Sequence, residues 1–224
     1  HLDNNLPFGE RISAIQRNYY LQLLLAIIST LVAVFLFFYH AYYRCELLYA
    51  AFGLGILYSL PILGIRIRDF RLSKVPIVAL TWVLITTIIP AQFRSNELTT
   101  GWLLSIEQFL FITALTIPFD IRDIQRDQNL GVKTVAGVFG VNKTKKISAY
   151  ILLLCQGAVL LQFISGESPR IITLSKIIFY VCTFVIIYLG VKKGRKDVFY
   201  IGVLDSLIII KGVLVYLVLN YFSP

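Results

Sequence analysis

Three aspartates in the segment 120–146 have a spacing that could hold a cation. Asp120, Asp123 and Asp127 fall at positions i, i+3 and i+7, which on a helix would line one face. Three carboxylates placed so closely repel one another unless cations are shared among them. Carboxylate oxygens suit Mg²⁺, which binds one or two of them and fills its remaining octahedral positions with water and substrate phosphate.

Basic side chains stand beside these carboxylates, at Arg122, Arg126 and Lys133. Carboxylate-held Mg²⁺ together with basic side chains is what a diphosphate needs for binding and for departure as a leaving group. The implied substrate is an amphiphile that keeps its diphosphate at the membrane interface and its hydrocarbon among helices. The alternative is that the aspartates are ordinary loop charges, screened by the neighbouring arginines.

The elements that must position this segment are apolar helices. Of the 224 residues, 58% are hydrophobic, and the mean hydropathy is +0.78, whereas soluble domains are about 45–50% apolar. Blocks of about 18–22 residues are long enough to cross a hydrocarbon core of ~30 Å. Because they are apolar on all sides rather than alternating, they predict helices and not a β-barrel. The seven predicted spans are 20–39, 45–63, 76–93, 101–119, 147–165, 171–190 and 198–221.

These spans predict an all-α fold, a polytopic transmembrane helical bundle that forms a single domain over residues 1–224. The net charge of +9 gives its orientation, because basic loops face the cytoplasm. Sixteen of the 21 Lys and Arg residues lie in the segments that seven spans place on one side, namely 1–18, 64–75, 120–146 and 191–197. We therefore expect 120–146 to be cytoplasmic. Topology and contacts with lipid head groups explain the charge without nucleic acid as a partner.

Two stretches resemble a known family. The sequence FDIRDIQRDQNLGVKTVAGVFG (119–140) closely resembles the second aspartate-rich motif of the UbiA-type intramembrane prenyltransferases, in which DxxDxxxD precedes a G-x-K-T stretch. The sequence YSLPILGIRIRDFRLSKVPIVALTW (58–82) resembles the YSxP segment of that family and the basic loop and helix after it. The matching positions outside the three aspartates are Gly131, Lys133, Thr134, Gly140, Tyr58, Pro61, Arg66, Arg68 and Lys74.

The resemblance implies nine helices around a central cavity, of which the seven spans would be helices three to nine. It implies an enzyme that transfers a prenyl group from a polyprenyl diphosphate to an aromatic or other lipophilic acceptor, in a bacterial inner membrane. Mg²⁺ would be held by Asp120, Asp123 and Asp127, which would be the catalytic residues. The implied substrate-binding residues are Tyr58, Arg66, Arg68, Lys74, Arg122 and Lys133. The acceptor, the prenyl chain length and the oligomeric state do not follow from it.

The family also has a first aspartate-rich motif, NDxxDxxxD, which this chain does not contain. The stretch HLDNNLPFGER at the start has Asp3, Asn4 and Asn5 but not that pattern, and the 224 residues include no Met. We expect the chain to begin inside a longer protein and to lack two N-terminal helices. The alternative is a UbiA-like membrane protein that is not catalytic and binds a lipid or a protein partner.

Further ionisable residues, among them Glu107, Asp205 and Lys211, lie inside predicted spans, where charge is costly and often functional. Glu107 is expected to face the cavity or to bond a neighbouring helix. Lys211 follows Asp205 by six residues in the last span, and structural pairing is the expected role of this lysine.

Overall fold

The computed structural model describes residues 19–39, 45–60, 73–95, 101–129, 131 and 133–221. Most of the described residues are helical, and no strand is among them. Two predicted substrate-binding residues, Arg66 and Arg68, lie outside the described residues, as do the residues around Asp3.

The chain divides into two compact units, His1–Leu48 and Tyr49–Pro224, and the prediction of one domain stays a prediction. In chain order the helices are α1 (Tyr19–Tyr39), α2 (Glu46–Ser59), α3 (Lys74–Val83), α4 (Ile89–Ser95), α5 (Trp102–Arg122), α6 (Ile124–Asn129), α7 (Val135–Ile164), α8 (Arg170–Gly190) and α9 (Ser206–Tyr221). A π-helical segment, Leu84–Ile88, joins α3 to α4, and another, Phe199–Leu204, leads into α9.

Within the described ranges, six helices are long and apolar enough to cross a membrane: Tyr19–Tyr39, Lys74–Gln92, Trp102–Arg122, Val135–Ile164, Arg170–Gly190 and Phe199–Tyr221. They match six of the seven predicted spans, and the predicted all-α polytopic bundle is confirmed. The seventh prediction, 45–63, corresponds to α2, which has only 14 residues. This architecture is that of a multi-pass integral membrane protein.

Helix α5 lies at the centre of the second unit. Phe111 and Ala114 on α5 pack with Leu152 and Cys155 on α7 in one buried apolar cluster. Small side chains at such a contact allow two helices to approach closely. Because α5 packs on both α3 and α7, it fixes the positions of groups that those two helices carry.

Pro118 lies inside α5 rather than at its end. A proline has no N–H, so the carbonyl four residues earlier loses its helical donor. That carbonyl belongs to Ala114, and it accepts a hydrogen bond of 2.7 Å from the Ser148 hydroxyl of α7. Both Ala114 and Ser148 are fully buried, so this bond satisfies a carbonyl that water does not reach.

Candidate functional site

The predicted aspartates lie where α5 ends and α6 begins. Asp120 is in the last turn of α5, and Asp123 follows its last residue. The Asp123 N–H donates to the Phe119 carbonyl at 3.0 Å, and the Asp127 N–H donates to the Asp123 carbonyl at 2.9 Å. The backbone therefore continues almost as one helix across the break, which keeps the three carboxylates on one side as the spacing predicts.

The ammonium group of Lys74 lies among the three carboxylates. Its Nζ is 3.2 Å from Asp120 Oδ1, 3.8 Å from Asp123 Oδ2 and 3.9 Å from Asp127 Oδ2. Lys74 is the first residue of α3, so this contact joins two segments 46 residues apart. One side chain from the 58–82 stretch thus neutralises part of the charge of the 119–140 stretch.

Arg122 supplies the second cation of the cluster. Its Nε and Nη2 donate to the two oxygens of Asp123 at 2.8 Å and 2.9 Å, the bidentate geometry in which guanidinium–carboxylate pairs are strongest. Its Nε is also 3.9 Å from Asp197. The guanidinium lies over the rings of Phe119 and Tyr200, 5.0 Å and 5.8 Å from their centroids. These contacts hold Arg122 against the carboxylates.

Asp120 is the most buried of the three, with a side chain only 1% exposed. A carboxylate in the last turn of a helix faces the negative end of the helix dipole and needs compensation. It comes from Lys74 and from the backbone N–H of Val135, which donates to Asp120 Oδ2 at 3.2 Å. Val135 is the first residue of α7, and Thr134 caps that helix by accepting from the Gly137 N–H. The GVKT stretch therefore brings a helix N-terminus to Asp120.

Asp127 has an oxygen that is not satisfied. Its Oδ2 is buried and has no hydrogen-bond donor among the described residues. Burial raises the pKa of the Asp127 carboxyl above its ordinary value, while Lys74 acts in the opposite direction. A buried acceptor without a donor is destabilising, so this oxygen is available to a cation or donor brought by a ligand.

The chemistry of these oxygens fits Mg²⁺, which prefers hard carboxylate ligands. The unsatisfied Oδ2 of Asp127 is consistent with such a ligand. In the described part of the chain, however, no three His, Cys, Asp or Glu side chains are grouped as a ligand set for a metal ion. Lys74 stands between the carboxylates instead, so a metal ion would require this ammonium to move.

The structure thus brings together five of the predicted site residues: Asp120, Asp123, Asp127, Lys74 and Arg122. The other two predicted residues that it describes are not part of this cluster. Tyr58 is half-buried in the last turn of α2, and Lys133 is exposed just before Thr134.

Some groups at these sites do not follow from the sequence pattern. The Val135 N–H is a backbone group that no motif identifies, and Asp197 approaches Arg122 although the two residues lie far apart in the sequence.

The motifs give no role to Lys176, although a lysine inside an apolar span is a recognisable signal. It contacts Glu107 at 2.7 Å, and Lys211 contacts the same carboxylate at 2.8 Å. Lys211 is therefore paired with Glu107 of α5, and the purely structural role expected for it stays a prediction.

Comparison of the chain with protein-family models, with curated proteins and with solved structures found no match.

Proposed function

We propose that the chain is a membrane-embedded, Mg²⁺-dependent prenyltransferase that moves a polyprenyl group from its diphosphate to an aromatic or other lipophilic acceptor. The observation that carries the proposal is the contact of Lys74 with Asp120, Asp123 and Asp127. The two stretches that resemble the UbiA-type family lie far apart in the sequence, and Lys74 of the first meets the three aspartates of the second at one end of α5.

In this proposal Asp120, Asp123 and Asp127 hold Mg²⁺, which supplies charge neutralisation for the leaving diphosphate. Lys74 and Arg122 bind phosphate oxygens, because an ammonium and a guanidinium are effective phosphate partners. Arg66, Arg68 and Lys133 add positive charge, and Tyr58 contacts the substrate. The Asp127 oxygen, which lacks a donor among the described residues, is the group with most to gain from a bound cation.

The proposed reaction breaks the bond between the allylic carbon and the diphosphate oxygen, and the electron pair leaves with the diphosphate. The allylic cation then bonds to a nucleophilic atom of the acceptor, which loses a proton. The apolar helices exclude water that would otherwise capture this cation. We place the protein in a bacterial inner membrane with the 120–146 segment on the cytoplasmic side, since the basic residues favour that side.

The test is Mg²⁺-dependent release of diphosphate by the full-length protein in membranes, with a panel of polyprenyl diphosphates. Asp123→Asn is expected to abolish release, because it removes a carboxylate charge from the cluster. Glu46→Gln is the matched control, since it makes the same carboxylate-to-amide change at an exposed position at the start of α2. Release that is unchanged in Asp123→Asn, or absent with every donor, contradicts the proposal.

A second function is favoured by a specific observation. Lys74 already contacts all three carboxylates, so the cluster has a cation of its own. The chain would then be a UbiA-like membrane protein that binds a lipid or protein partner without catalysis. This alternative predicts that no diphosphate is released from any prenyl donor, with or without Mg²⁺ and in Asp123→Asn as in the wild type. The contacts of Lys74 with the carboxylates would still contribute to stability.

A further inference from the structure

A second cluster of charged groups is buried near the opposite end of α5 from Asp120. Glu107 is fully buried, and its two oxygens contact two lysines from different helices. Lys176 of α8 lies 2.7 Å from Glu107 Oε2, and Lys211 of α9 lies 2.8 Å from Oε1. The Tyr180 hydroxyl also donates to Oε1. Gln162 of α7 donates to Oε2 at 2.8 Å.

The charges of this cluster do not balance. One carboxylate faces two ammonium groups, and no second carboxylate contacts either lysine in the part of the chain that the structure describes. The formal charge is therefore +1. Both lysines are buried, with side chains only 6% and 9% exposed, and they lie inside helices long and apolar enough to span a membrane. An uncompensated charge in such surroundings is strongly destabilising, which points to an anion as the missing partner.

The donors of Lys176 are only partly used. An ammonium has three N–H donors, and Lys176 directs one to Glu107 Oε2 and one to Gln162 Oε1 at 3.1 Å. Lys211 donates to Gln108 Oε1 at 2.7 Å and to Glu107, and lies 4.7 Å from the centre of the Phe111 ring. Lys176 is therefore the better placed of the two to contact a ligand.

Two cavities meet at this lysine. One, of about 620 Å³, extends from Lys176 past Gln162 to Ser168 and Trp102, near the end of α5 remote from Asp120. The other, of about 330 Å³, is bordered by both Lys176 and Lys211. Lys176, Leu104 and Val215 line both cavities. Their volumes fall in the range of small-molecule sites, roughly 300–1,000 Å³, and their walls are mainly apolar, with a few hydroxyl and amide groups. The exposed Glu167 also lines the larger cavity, but it contacts neither lysine.

We propose that these cavities bind a single-chain amphiphile with one carboxylate, which pairs with Lys176 and Lys211 while its hydrocarbon lies along Leu104 and Val215. A carboxylate carries one negative charge and so balances the excess positive charge of the cluster, whereas a doubly charged phosphate monoester would reverse it. The site does not depend on the proposed transfer reaction. Glu107 and Asp120 are 13 positions apart on α5, about 20 Å along a helix axis.

The binding test uses the full chain in nanodiscs of phosphatidylcholine, with radiolabelled palmitic acid as probe and methyl palmitate as its neutral counterpart. Palmitate is expected to bind saturably and to be displaced by unlabelled palmitate but not by methyl palmitate. Lys176→Met should weaken binding by about tenfold or more, the usual effect of losing a hydrogen bond to a charged group. Lys192→Met, which removes an exposed lysine after α8, should leave binding unchanged and controls for surface charge.

Two further variants keep the test decisive where Lys176→Met does not fold. Glu107→Gln removes the one negative charge of the cluster and is expected to tighten palmitate binding, an effect that a purely structural cluster would not produce. Val215→Trp keeps every charge but places a bulky ring at a wall position that both cavities share, and should abolish binding by obstructing the hydrocarbon chain. The proposal is overturned if methyl palmitate displaces palmitate as well as unlabelled palmitate does, or if Val215→Trp binds palmitate normally. It is also overturned if added phosphatidylglycerol displaces palmitate, since displacement by this lipid assigns the site to a phosphodiester head group.

Discussion

Replacing Lys74 by Met tests whether the aspartate cluster is built around a cation. The side chain keeps its length but loses the ammonium that lies 3.2–3.9 Å from three carboxylates. Asp120 then stays buried and keeps the hydrogen bond from the Val135 N–H, and Arg122 remains the close cation of Asp123. Removing one partner of a buried ion pair costs about 3–5 kcal/mol. Because Lys74 is 24% exposed, the lower end of that range, about 3 kcal/mol, is expected.

For a chain of this length, that loss corresponds to a fall of about 6–12 °C in the midpoint of thermal unfolding, at roughly 2–4 °C per kcal/mol. The measurement is the apparent midpoint in detergent, with Lys146→Met as the control because Lys146 is exposed on α7. A midpoint in Lys74→Met equal to that of the wild type would show that the ammonium contributes no net stability.

Adding Mg²⁺ makes the test sharper. With Lys74 removed, the space among the carboxylates is open to a divalent cation, whereas the wild type must first move the ammonium. Mg²⁺ at about 100 times its dissociation constant would restore about 2.7 kcal/mol. Lys74→Met should therefore gain more stability from Mg²⁺ than the wild type does, and Ca²⁺ or Na⁺ at the same ionic strength should restore less. If Mg²⁺ stabilises neither protein, the carboxylates do not form a cation site, and if it stabilises both equally, Lys74 does not compete with the ion.

Three other substitutions have defined outcomes in the same unfolding measurement. Ser148→Ala leaves the Ala114 carbonyl without its buried donor, and should lower the free energy of unfolding by about 1–3 kcal/mol; an unchanged midpoint would show that another donor replaces it. Gly190→Ala places a Cβ against the ring of Phe199 and should destabilise the chain, an effect that Phe199→Leu in the same chain should relieve. Asp127→Asn should stabilise the chain at neutral pH and give no gain in acid. The folded state raises the pKa of Asp127, so its stabilising contribution is present below the unfolded pKa and is lost as the pH rises through the folded pKa. If Asp127→Asn changed the stability equally at neutral and at acid pH, the direction of this pKa shift would be contradicted.

The helices are the part of the structure that the sequence predicts best, because apolar runs of membrane-spanning length rarely form anything but helices. The main difference lies in α7, which begins at Val135 rather than near 147. The charge of the stretch VNKTKK predicts a loop, yet the Thr134 cap starts a helix before it and Gly140, with φ of 76°, bends that helix. A hydropathy pattern marks where a helix is apolar, not where its hydrogen bonding begins.

The same distinction applies to the candidate site. Local spacing predicts the shared face of Asp120, Asp123 and Asp127, since neighbouring residues determine it. It does not predict that Lys74 lies among them, because that contact joins residues 46 positions apart and depends on the packing of α3 against α5. Long-range ion pairs are set by tertiary packing, which cannot be inferred from local spacing.

Helix α5 carries both charged clusters, and their opposite imbalances allow them to be tested separately. At its C-terminal end, three carboxylates contact the two cations Lys74 and Arg122, so an added cation would improve the balance. Near its N-terminal end, the excess is positive and an added anion would do so. Ligands of opposite charge should therefore stabilise the two ends: Mg²⁺ should still raise the unfolding midpoint in Lys176→Met, and palmitate should still raise it in Asp123→Asn. If one of these substitutions removed both responses, the two ends would not be independent sites, and the charge imbalance at each end would not determine which ligand binds there.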